Sequence, residues 1–301
     1  MLNDERHRWE LLEEIGDLLL SLRSDVVSIV AFGSFVRDGD YDDIDLLVVL
    51  TDLSKPPLER KDEILEIKDR IKHLPPADVL LVSVEECVDN FEAHVPLFLD
   101  IAFDGRIIHD NDFVARLMRE TREYVKSQGI VRTESGGWRF PVRFRQSTPL
   151  SQLKDEEWAS IWLGEAEQDL LAARRLLEAG IYDKCVTHCQ QVVEKVVKAI
   201  LICFGRSERS HYVGRALERE IKRQKLGQWT KELKVIARDA ENLEPDVSLS
   251  RYPKIFGDRI WVPHREYDTT RAKSALQKAQ FALDRGKEFV AWWFSGSEGG
   301  R

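Results

Sequence analysis

The sequence contains no long apolar segment and few cysteines, and each lack excludes a class of protein. No apolar run approaches the roughly 20 residues that a helix needs to cross a bilayer, so no membrane contact is expected. The N-terminus, MLNDERHRWE, is charged from its start, which predicts no secretory signal. The four cysteines lack the spacing of zinc ligands, and Cys185 and Cys189 stand one helical turn apart. We therefore expect a cytoplasmic protein whose cysteines are reduced core thiols.

Net positive charge is also lacking. The chain carries 45 Lys and Arg residues against 53 Asp and Glu residues, a formal net charge of −8. This balance argues against nucleic-acid binding over the whole surface and leaves local basic patches open. The 301 residues, of which 43% are hydrophobic, suit two globular domains that each bury a core.

The first part of the chain mixes helices with strands. Apolar periodicity predicts helices over residues 8–22, 58–73 and 113–128, and strands over residues 26–32, 43–50 and 78–82. Ser83 and Glu86 form a capping box before another helix. Asp104-Gly105 is a strong turn signal, so residues 97–109 are predicted to form a hairpin. The result is a small α+β domain with a mixed sheet over residues 1–128.

The second part is helical. Residues 129–154 are rich in Gly, Pro, Ser and Thr and predict a connector, with a short hairpin around residues 138–144. Residues 155–294 show helical periodicity without a clear strand, which predicts an all-α bundle of four to five antiparallel helices. The Gly- and Ser-rich tail over residues 295–301 is expected to be disordered.

Chemistry is concentrated where the first predicted strand ends and the second begins. The strand delivers Gly33 and Ser34 to a turn, where backbone amides and the hydroxyl can donate to phosphate oxygens. Asp43 and Asp45 share one face of the next strand, because side chains alternate, while Ile44 points to the core. Two carboxylates beside a phosphate cradle predict a site for Mg²⁺, or Mn²⁺, with a nucleoside triphosphate.

Two further residues extend this site. Asp78 begins the following strand and is predicted to be a third metal ligand and the general base toward an incoming hydroxyl. The alternative for Asp78 is an exposed strand-start carboxylate. Arg37 is either a phosphate ligand or a solvated loop residue. The alternative for the whole segment is an ordinary acidic turn, DGDYDD, but two charges in a core strand cost free energy unless they are paired or metal-bound.

The pattern Phe32-Gly33-Ser34, Arg37 and Asp43-Ile44-Asp45 resembles the minimal nucleotidyltransferases of the polymerase-beta-type superfamily. The loop between Gly-Ser and Asp-x-Asp is slightly shorter than in the usual minimal form. The resemblance covers roughly residues 10–110. It implies transfer of a nucleoside monophosphate, with ATP as the substrate, to a hydroxyl of a protein or an RNA.

The helical part resembles the HEPN domain over roughly residues 156–293. The motifs that carry this resemblance are Gly180-Ile181-Tyr182, Gln190-Gln191, Glu194-Lys195, Lys198-Ala199, His211 and Arg251-Tyr252-Pro253. Such domains are frequently partnered with minimal nucleotidyltransferases, so the two resemblances support each other. They imply regulation of a toxin–antitoxin type, in which Tyr252 or Tyr267 is the acceptor, and a homo-oligomer formed through the HEPN helices.

Several polar features of the helical part have two interpretations. The face of Gln191, Glu194, Lys195 and Lys198 is either a solvated, ion-paired surface or a polar groove. The basic and aromatic stretch over residues 138–145 is either an interdomain strand or a clamp over nucleotide or RNA. The ribonuclease spacing of Arg and His occurs twice, in Arg206 with His211 and in Arg259 with His264, but neither pair lies on a continuous helix.

Three hypotheses for function follow from these patterns. The first is a Mg²⁺-dependent nucleotidyltransferase, with Asp43, Asp45 and Asp78 at the reacting centre and Gly33 and Ser34 on the triphosphate. The second is a HEPN ribonuclease regulated by the N-terminal domain. The third is a protein that binds nucleotide without turnover. We expect the first, with little RNA cleavage by the helical half.

Overall fold

The computed structural model describes residues 2–37, 43–150 and 153–298. The chain divides into two compact units, Met1–Gln128 and Gly129–Arg301. Among the described helices, none is both long and apolar enough to span a bilayer. All four cysteines are buried and have free thiols, in agreement with the predicted core thiols.

The first unit is a four-stranded sheet covered by helices. Its strands are β1 (Val26–Phe32), β2 (Ile44–Leu50), β3 (Ala77–Ser83) and β4 (Arg106–Asp110), in the spatial order β3-β2-β1-β4. β1 pairs antiparallel with β2 and β4, whereas β2 pairs parallel with β3. Its helices are α1 (Leu2–Leu22), α2 (Ser34–Arg37), α3 (Lys61–Arg70), α4 (Val84–Glu92), α5 (Pro96–Asp104) and α6 (Phe113–Gln128), with a 3₁₀ turn at Pro57–Glu59.

Strand alternation gives this sheet two buried faces. Even-numbered residues of β2 from Ile44 to Leu50 pack in one cluster with residues of α1 and α3. Leu47 and Val49 pack in the other cluster with residues of α4, α5 and α6. Ser83 and Glu86 form the expected capping box at the start of α4. The mixed sheet with helices confirms the predicted α+β class of the first unit.

The predicted hairpin over residues 97–109 is wrong. Residues up to Asp104 form α5, which begins with Pro96 in the first helical turn, and only β4 follows. Gly105 has φ −57°, so it does not adopt the left-handed conformation that a tight hairpin turn requires. The apolar run PLFLDIAF fits a helix buried on the sheet as well as a strand, and tertiary packing selected the helix.

The second unit is predominantly helical, as the sequence predicts. Its helices are α7 (Asp155–Glu178), α8 (Tyr182–Cys203), α9 (Gly214–Arg223), α10 (Trp229–Leu243), α11 (Asp246–Leu249), α12 (Pro263–Glu266) and α13 (Thr269–Phe294). Short strands that the sequence does not predict lie between them: β7 (Arg206–Ser207), β8 (Lys254–Phe256) and β9 (Arg259–Trp261). Residues of α8 are buried along almost its whole length, so this helix forms the centre of the unit.

Residues 129–154, predicted as a connector, lie within the second unit. Strands β5 (Val131–Arg132) and β6 (Trp138–Arg139) form an antiparallel pair, and β6 also pairs with β7. Trp138 is 1% exposed and Phe140 is 6% exposed, so the segment contributes to a core despite its polar composition.

The C-terminal end also differs from expectation. Disorder is predicted over residues 295–301, whereas Ser295–Glu298 forms a 3₁₀ turn that continues directly from α13. Residues 299–301 and the acidic loop over residues 38–42, both named in the sequence predictions, lie outside the described residues.

Candidate active site

The end of β1 forms a turn that only glycine fits. Gly33 has φ +80° and is followed directly by α2, which begins at Ser34. A Cβ atom at position 33 would overlap Oδ2 of Asp45 and lie 2.9 Å from its Cγ. The carboxylate of Asp45 can lie against the turn because residue 33 is a glycine and has no side chain.

The three predicted carboxylates lie at or near the starts of the neighbouring strands β2 and β3. Asp45 is paired in register with Phe32 of β1 and with Asp78 of β3. Asp45 alternates with residues of the α1–α3 face, so it belongs to the opposite face, where α5 packs, whereas Asp78 contacts Lys68 of α3. Asp43 lies one residue before β2 and, like Asp45, is half-buried.

Asp78 is the exposed member of this group. Its side chain is 67% exposed, and its Oδ1 accepts a hydrogen bond from Lys68 Nζ at 2.9 Å. The role of Lys68 is not predictable from the sequence, because the contact depends on α3 lying alongside β3. No local signal in the segment between Lys68 and Asp78, which are ten positions apart, shows that packing.

The chemistry of these groups fits a hard cation. Carboxylate oxygens are the ligands that Mg²⁺ takes from proteins, and Mg²⁺ is usually held by one or two carboxylates together with substrate phosphates. Within the ranges that the structure describes, no group of three His, Cys, Asp or Glu side chains is arranged to hold a metal. The carboxylate chemistry of Asp43 and Asp45 fits such a cation, and the metal role of these two residues, like that of Asp78, stays a prediction.

The two predicted phosphate ligands differ in their surroundings. Ser34 is half-buried at the first position of α2. Arg37 ends the same short helix, and its Nη1 lies 3.6 Å from Oδ2 of Asp104 at the end of α5. Arg37 therefore forms an ion pair with a neighbouring helix and is not a purely solvated loop residue. Its role as a phosphate ligand stays a prediction.

In the second unit, part of the polar face of α8 is buried. Glu194 and Lys198 are 7% and 8% exposed, and Lys198 Nζ donates to Glu194 Oε1 at 2.9 Å. His211 Nδ1 lies 2.9 Å from the same oxygen. Burial opposes ionisation of Glu194, but the charge of Lys198 and the hydrogen bonds from Lys198 and Gln190 outweigh it and lower the pKa of Glu194. This part of the face is an internal ion-paired network, so the interpretation as a solvated surface is wrong for it.

The two Arg–His pairs of ribonuclease spacing have separate partners. Arg206 donates to Glu208 and Glu220, whereas His211 contacts Glu194. Arg259 pairs with Glu266, and His264 lies exposed on α12. In neither pair does the structure give a contact between the arginine and the histidine. Arg206 and Arg259 lie on the strands β7 and β9, so neither pair lies on one continuous helix, as the sequence predicts.

The two candidate acceptor tyrosines differ sharply in access. Tyr252 is 61% exposed, whereas Tyr267 is 4% exposed and donates its hydroxyl to Asp246 Oδ1. Burial and this hydrogen bond to a carboxylate raise the pKa of Tyr267 well above its usual value. A hydroxyl that is buried and resists deprotonation is a poor nucleophile, so Tyr252 is the better candidate of the two.

Comparison with known families agrees with both units. Residues 11–109 match the model of the nucleotidyltransferase domain, and residues 159–292 match the model of the HEPN domain. A Methanocaldococcus jannaschii protein named "Putative toxin MJ1304" is 33% identical over 135 residues, which cover 44% of this chain and 89% of that protein.

Two solved structures are also similar. A nucleotidyltransferase-like protein from Exiguobacterium sibiricum is 14% identical, with 88% of this chain and 72% of that chain covered and a TM-score of 0.39. A chain of the complex between tri-AMPylated Shewanella oneidensis HEPN toxin and MNT antitoxin is 19% identical, with coverages of 40% and 92% and a TM-score of 0.26.

The family matches fall on the sheet that carries Gly33 and Asp45 and on the bundle centred on α8. They confirm the predicted enzyme class, a nucleotidyltransferase, for the first unit. The chain therefore belongs to the nucleotidyltransferase domain family through its N-terminal unit and to the HEPN domain family through its C-terminal unit.

Proposed function

We propose that the N-terminal unit transfers AMP from ATP to a hydroxyl group of a protein or RNA in a reaction that depends on Mg²⁺ or Mn²⁺. The observation that carries this proposal is the packing of the Asp45 carboxylate against the Gly33 turn, with Asp78 as its neighbour on the adjacent strand. In this proposal Asp45 is a metal ligand, the Gly33 turn binds phosphate and the exposed Asp78 is the base.

The residues of the turn bind and orient the triphosphate in this proposal. Backbone amides that follow Gly33 and the hydroxyl of Ser34 donate to phosphate oxygens, since no side chain at position 33 blocks the approach. Asp43 and Asp45 hold the cation. When bound, the cation neutralises charge on the phosphate oxygens and on the leaving pyrophosphate.

Asp78 accepts the proton of the acceptor hydroxyl. The acceptor oxygen forms a bond to the α-phosphorus, the bond from that phosphorus to the bridging oxygen breaks, and pyrophosphate leaves with the bonding electron pair. The exposure of Asp78 suits a large acceptor that approaches from solvent. The ion pair with Lys68 keeps the carboxylate oriented while leaving its second oxygen to act as base.

The acceptor that we propose is a HEPN tyrosine, with Tyr252 as the candidate in this sequence. Its exposure leaves its hydroxyl accessible from solvent to an enzyme that modifies it. The name of the Methanocaldococcus relative describes a toxin. On that basis we propose a regulatory pair of the toxin–antitoxin type, in which AMP transfer modifies the HEPN unit.

Intact-mass measurement after incubation with ATP and Mg²⁺ tests the proposal. We expect the full chain to gain one or more AMP units, and we expect Asp43→Asn with Asp45→Asn to abolish the gain while the protein stays folded. Asp69→Asn is the matched control, because Asp69 is an exposed carboxylate of the same unit paired only with Lys72 among its described ion pairs.

The results separate the competing functions. Unchanged turnover in the double variant would refute the assigned site. ATP binding without a mass gain, and without transfer to added RNA or HEPN protein, would favour a binding protein without turnover. Metal-independent RNA cleavage that is lost in His211→Ala or His264→Ala would favour a ribonuclease instead.

A further inference from the structure

Five arginines line one cavity in the C-terminal unit. The cavity measures about 180 Å³ and lies where the β5–β6 pair meets β7 and α9. Its basic lining consists of Arg132, Arg139, Arg206, Arg219 and Arg223. All of them belong to the unit Gly129–Arg301, so the cavity is independent of the nucleotidyltransferase sheet.

A single buried glutamate organises the inner arginines. Glu220 is 0% exposed, and its carboxylate accepts hydrogen bonds from Arg139, from Arg206 at 3.2 Å and from Arg223 at 3.3 Å. Burial opposes its ionisation, but the hydrogen bonds and charges of Arg139 and Arg206 outweigh burial and lower the pKa of Glu220. The carboxylate is therefore charged and fixes three guanidinium groups around one point.

The positive charge exceeds what the neighbouring carboxylates neutralise. Glu208 is the second buried carboxylate, and Arg206 donates to it at 2.7 Å. At the rim, Arg219 lies 3.7 Å from Glu134, whose side chain is 94% exposed and therefore strongly screened by solvent. Arg139, Arg206, Arg219 and Arg223 thus bring four guanidinium groups to two buried carboxylates and one solvated carboxylate.

The placement of the rim arginines adds to this imbalance. Arg219 and Arg223 stand four residues apart on α9, so their like charges lie on the same side of the helix and repel each other. Their side chains are 47% and 60% exposed, so both reach solvent. Two arginines, Arg139 and Arg206, would be enough to neutralise the two buried glutamates in a purely structural ion cluster. Such a cluster would not need Arg219 and Arg223, which repel each other at the mouth of the cavity.

We propose that this cavity binds adjacent phosphate groups. Guanidinium groups are planar forks that match the oxygens of phosphate, and several of them around a small space favour a ligand with several negative charges close together. The cavity is smaller than the roughly 300–1,000 Å³ of sites that enclose a whole drug-sized ligand. It accommodates the phosphate chain and leaves the nucleoside outside. The phosphates are those of a nucleoside triphosphate or of an RNA strand.

The experiment measures binding of inorganic tripolyphosphate to the full chain by calorimetry, with EDTA present and Asp43→Asn, Asp45→Asn in the background. These conditions remove the metal-dependent site, so failure of the proposed transferase function would not affect the result. We expect Arg219→Gln with Arg223→Gln to weaken binding at least about tenfold. Arg223→Lys keeps the charge but loses the fork, and we expect an intermediate effect.

Arg238→Gln is the matched control, since the Arg238 side chain is 68% exposed on α10, outside the cavity lining. Equal affinity in the double variant and in the control would overturn the proposal, as would absence of tripolyphosphate and RNA binding. Polyglutamate that competes as well as tripolyphosphate would also overturn it, because the site would then recognise charge rather than phosphate. Competition by ATP supports a nucleotide as the source, and competition by oligoadenylate RNA supports a strand.

Discussion

Replacement of Gly33 by alanine is the most direct test of the candidate active site. The added Cβ has two separate consequences that the structure allows to be distinguished. The residue must keep φ +80°, which an L-residue with a side chain rarely adopts. The same atom would overlap Oδ2 of Asp45, so the carboxylate must leave its place against the turn.

The two consequences have different magnitudes. Left-handed backbone at a residue with Cβ costs roughly 1–2 kcal/mol. Insertion of a methyl group into packed surroundings typically costs about 1–3 kcal/mol more. A displacement of a reacting group by about 1 Å can lower the rate about a hundredfold. We therefore expect Gly33→Ala to lower the free energy of unfolding of the first unit by about 2–5 kcal/mol and AMP transfer by at least about a hundredfold.

Gly136→Ala supplies the matched control. Gly136 also has φ +80°, but a Cβ there would meet no atom within 4 Å. Denaturant unfolding should show only the backbone cost for Gly136→Ala, and AMP transfer should be unchanged. In a double-mutant cycle, Asp45→Ala should recover the steric part of the Gly33→Ala loss, since it removes the overlapping carboxylate. Equal stability losses at positions 33 and 136, or normal transfer by Gly33→Ala, would refute the reasoning.

Three further predictions concern the C-terminal unit. Tyr252→Phe should remove AMP modification of the HEPN unit, whereas Tyr267→Phe should leave the modified mass unchanged; peptide mapping by mass spectrometry checks both. Glu220→Gln should destabilise the unit by about 3–5 kcal/mol in denaturant, because it leaves buried guanidinium groups without their counter-charge. The pKa of Glu220 in the folded state lies below the ordinary 4.5. The contribution of Glu220 to the free energy of unfolding should therefore be complete above pH 4.5 and be lost as the pH falls through the lowered pKa. Acid unfolding of the wild type and of the variant measures this loss. Trypsin should cleave after exposed Arg143 before Arg139, which is held in β6, and early cleavage at Arg139 would contradict the observed packing.

The parts of the first unit that the sequence predicts well depend on short-range patterns. Gly33 and Asp45 stand at the end of β1 and near the start of β2, as the sequence predicts, whereas Asp43 lies one residue before β2 and its place on the same face as Asp45 stays a prediction. The capping box at Ser83 is likewise a four-residue signal. The hairpin prediction at Asp104-Gly105 failed for the opposite reason, since a turn dipeptide says nothing of the sheet against which the preceding apolar run packs.

The C-terminal unit shows where sequence patterns become insufficient. The segment around Trp138 has the composition of a linker, but its aromatic residues are buried and its strand pairs with β7, which lies 68 residues further along the chain. Glu220 looks like an ordinary helix residue in the sequence. Its burial and its three arginine partners follow from contacts between segments that are distant in sequence, and no local period encodes them.

The two phosphate sites that we propose have opposite electrostatics, and this difference makes them separable. At the N-terminal sheet, Asp43 and Asp45 repel a triphosphate unless a cation lies between them. At the C-terminal cavity, the arginines attract phosphate directly, and a divalent cation competes for the same oxygens. Removal of Mg²⁺ should therefore abolish nucleotide binding at the first site and strengthen it at the second. Each double variant should keep only one of the two responses. ATP binding to the Asp43→Asn, Asp45→Asn variant should strengthen when Mg²⁺ is removed, whereas ATP binding to the Arg219→Gln, Arg223→Gln variant should be lost.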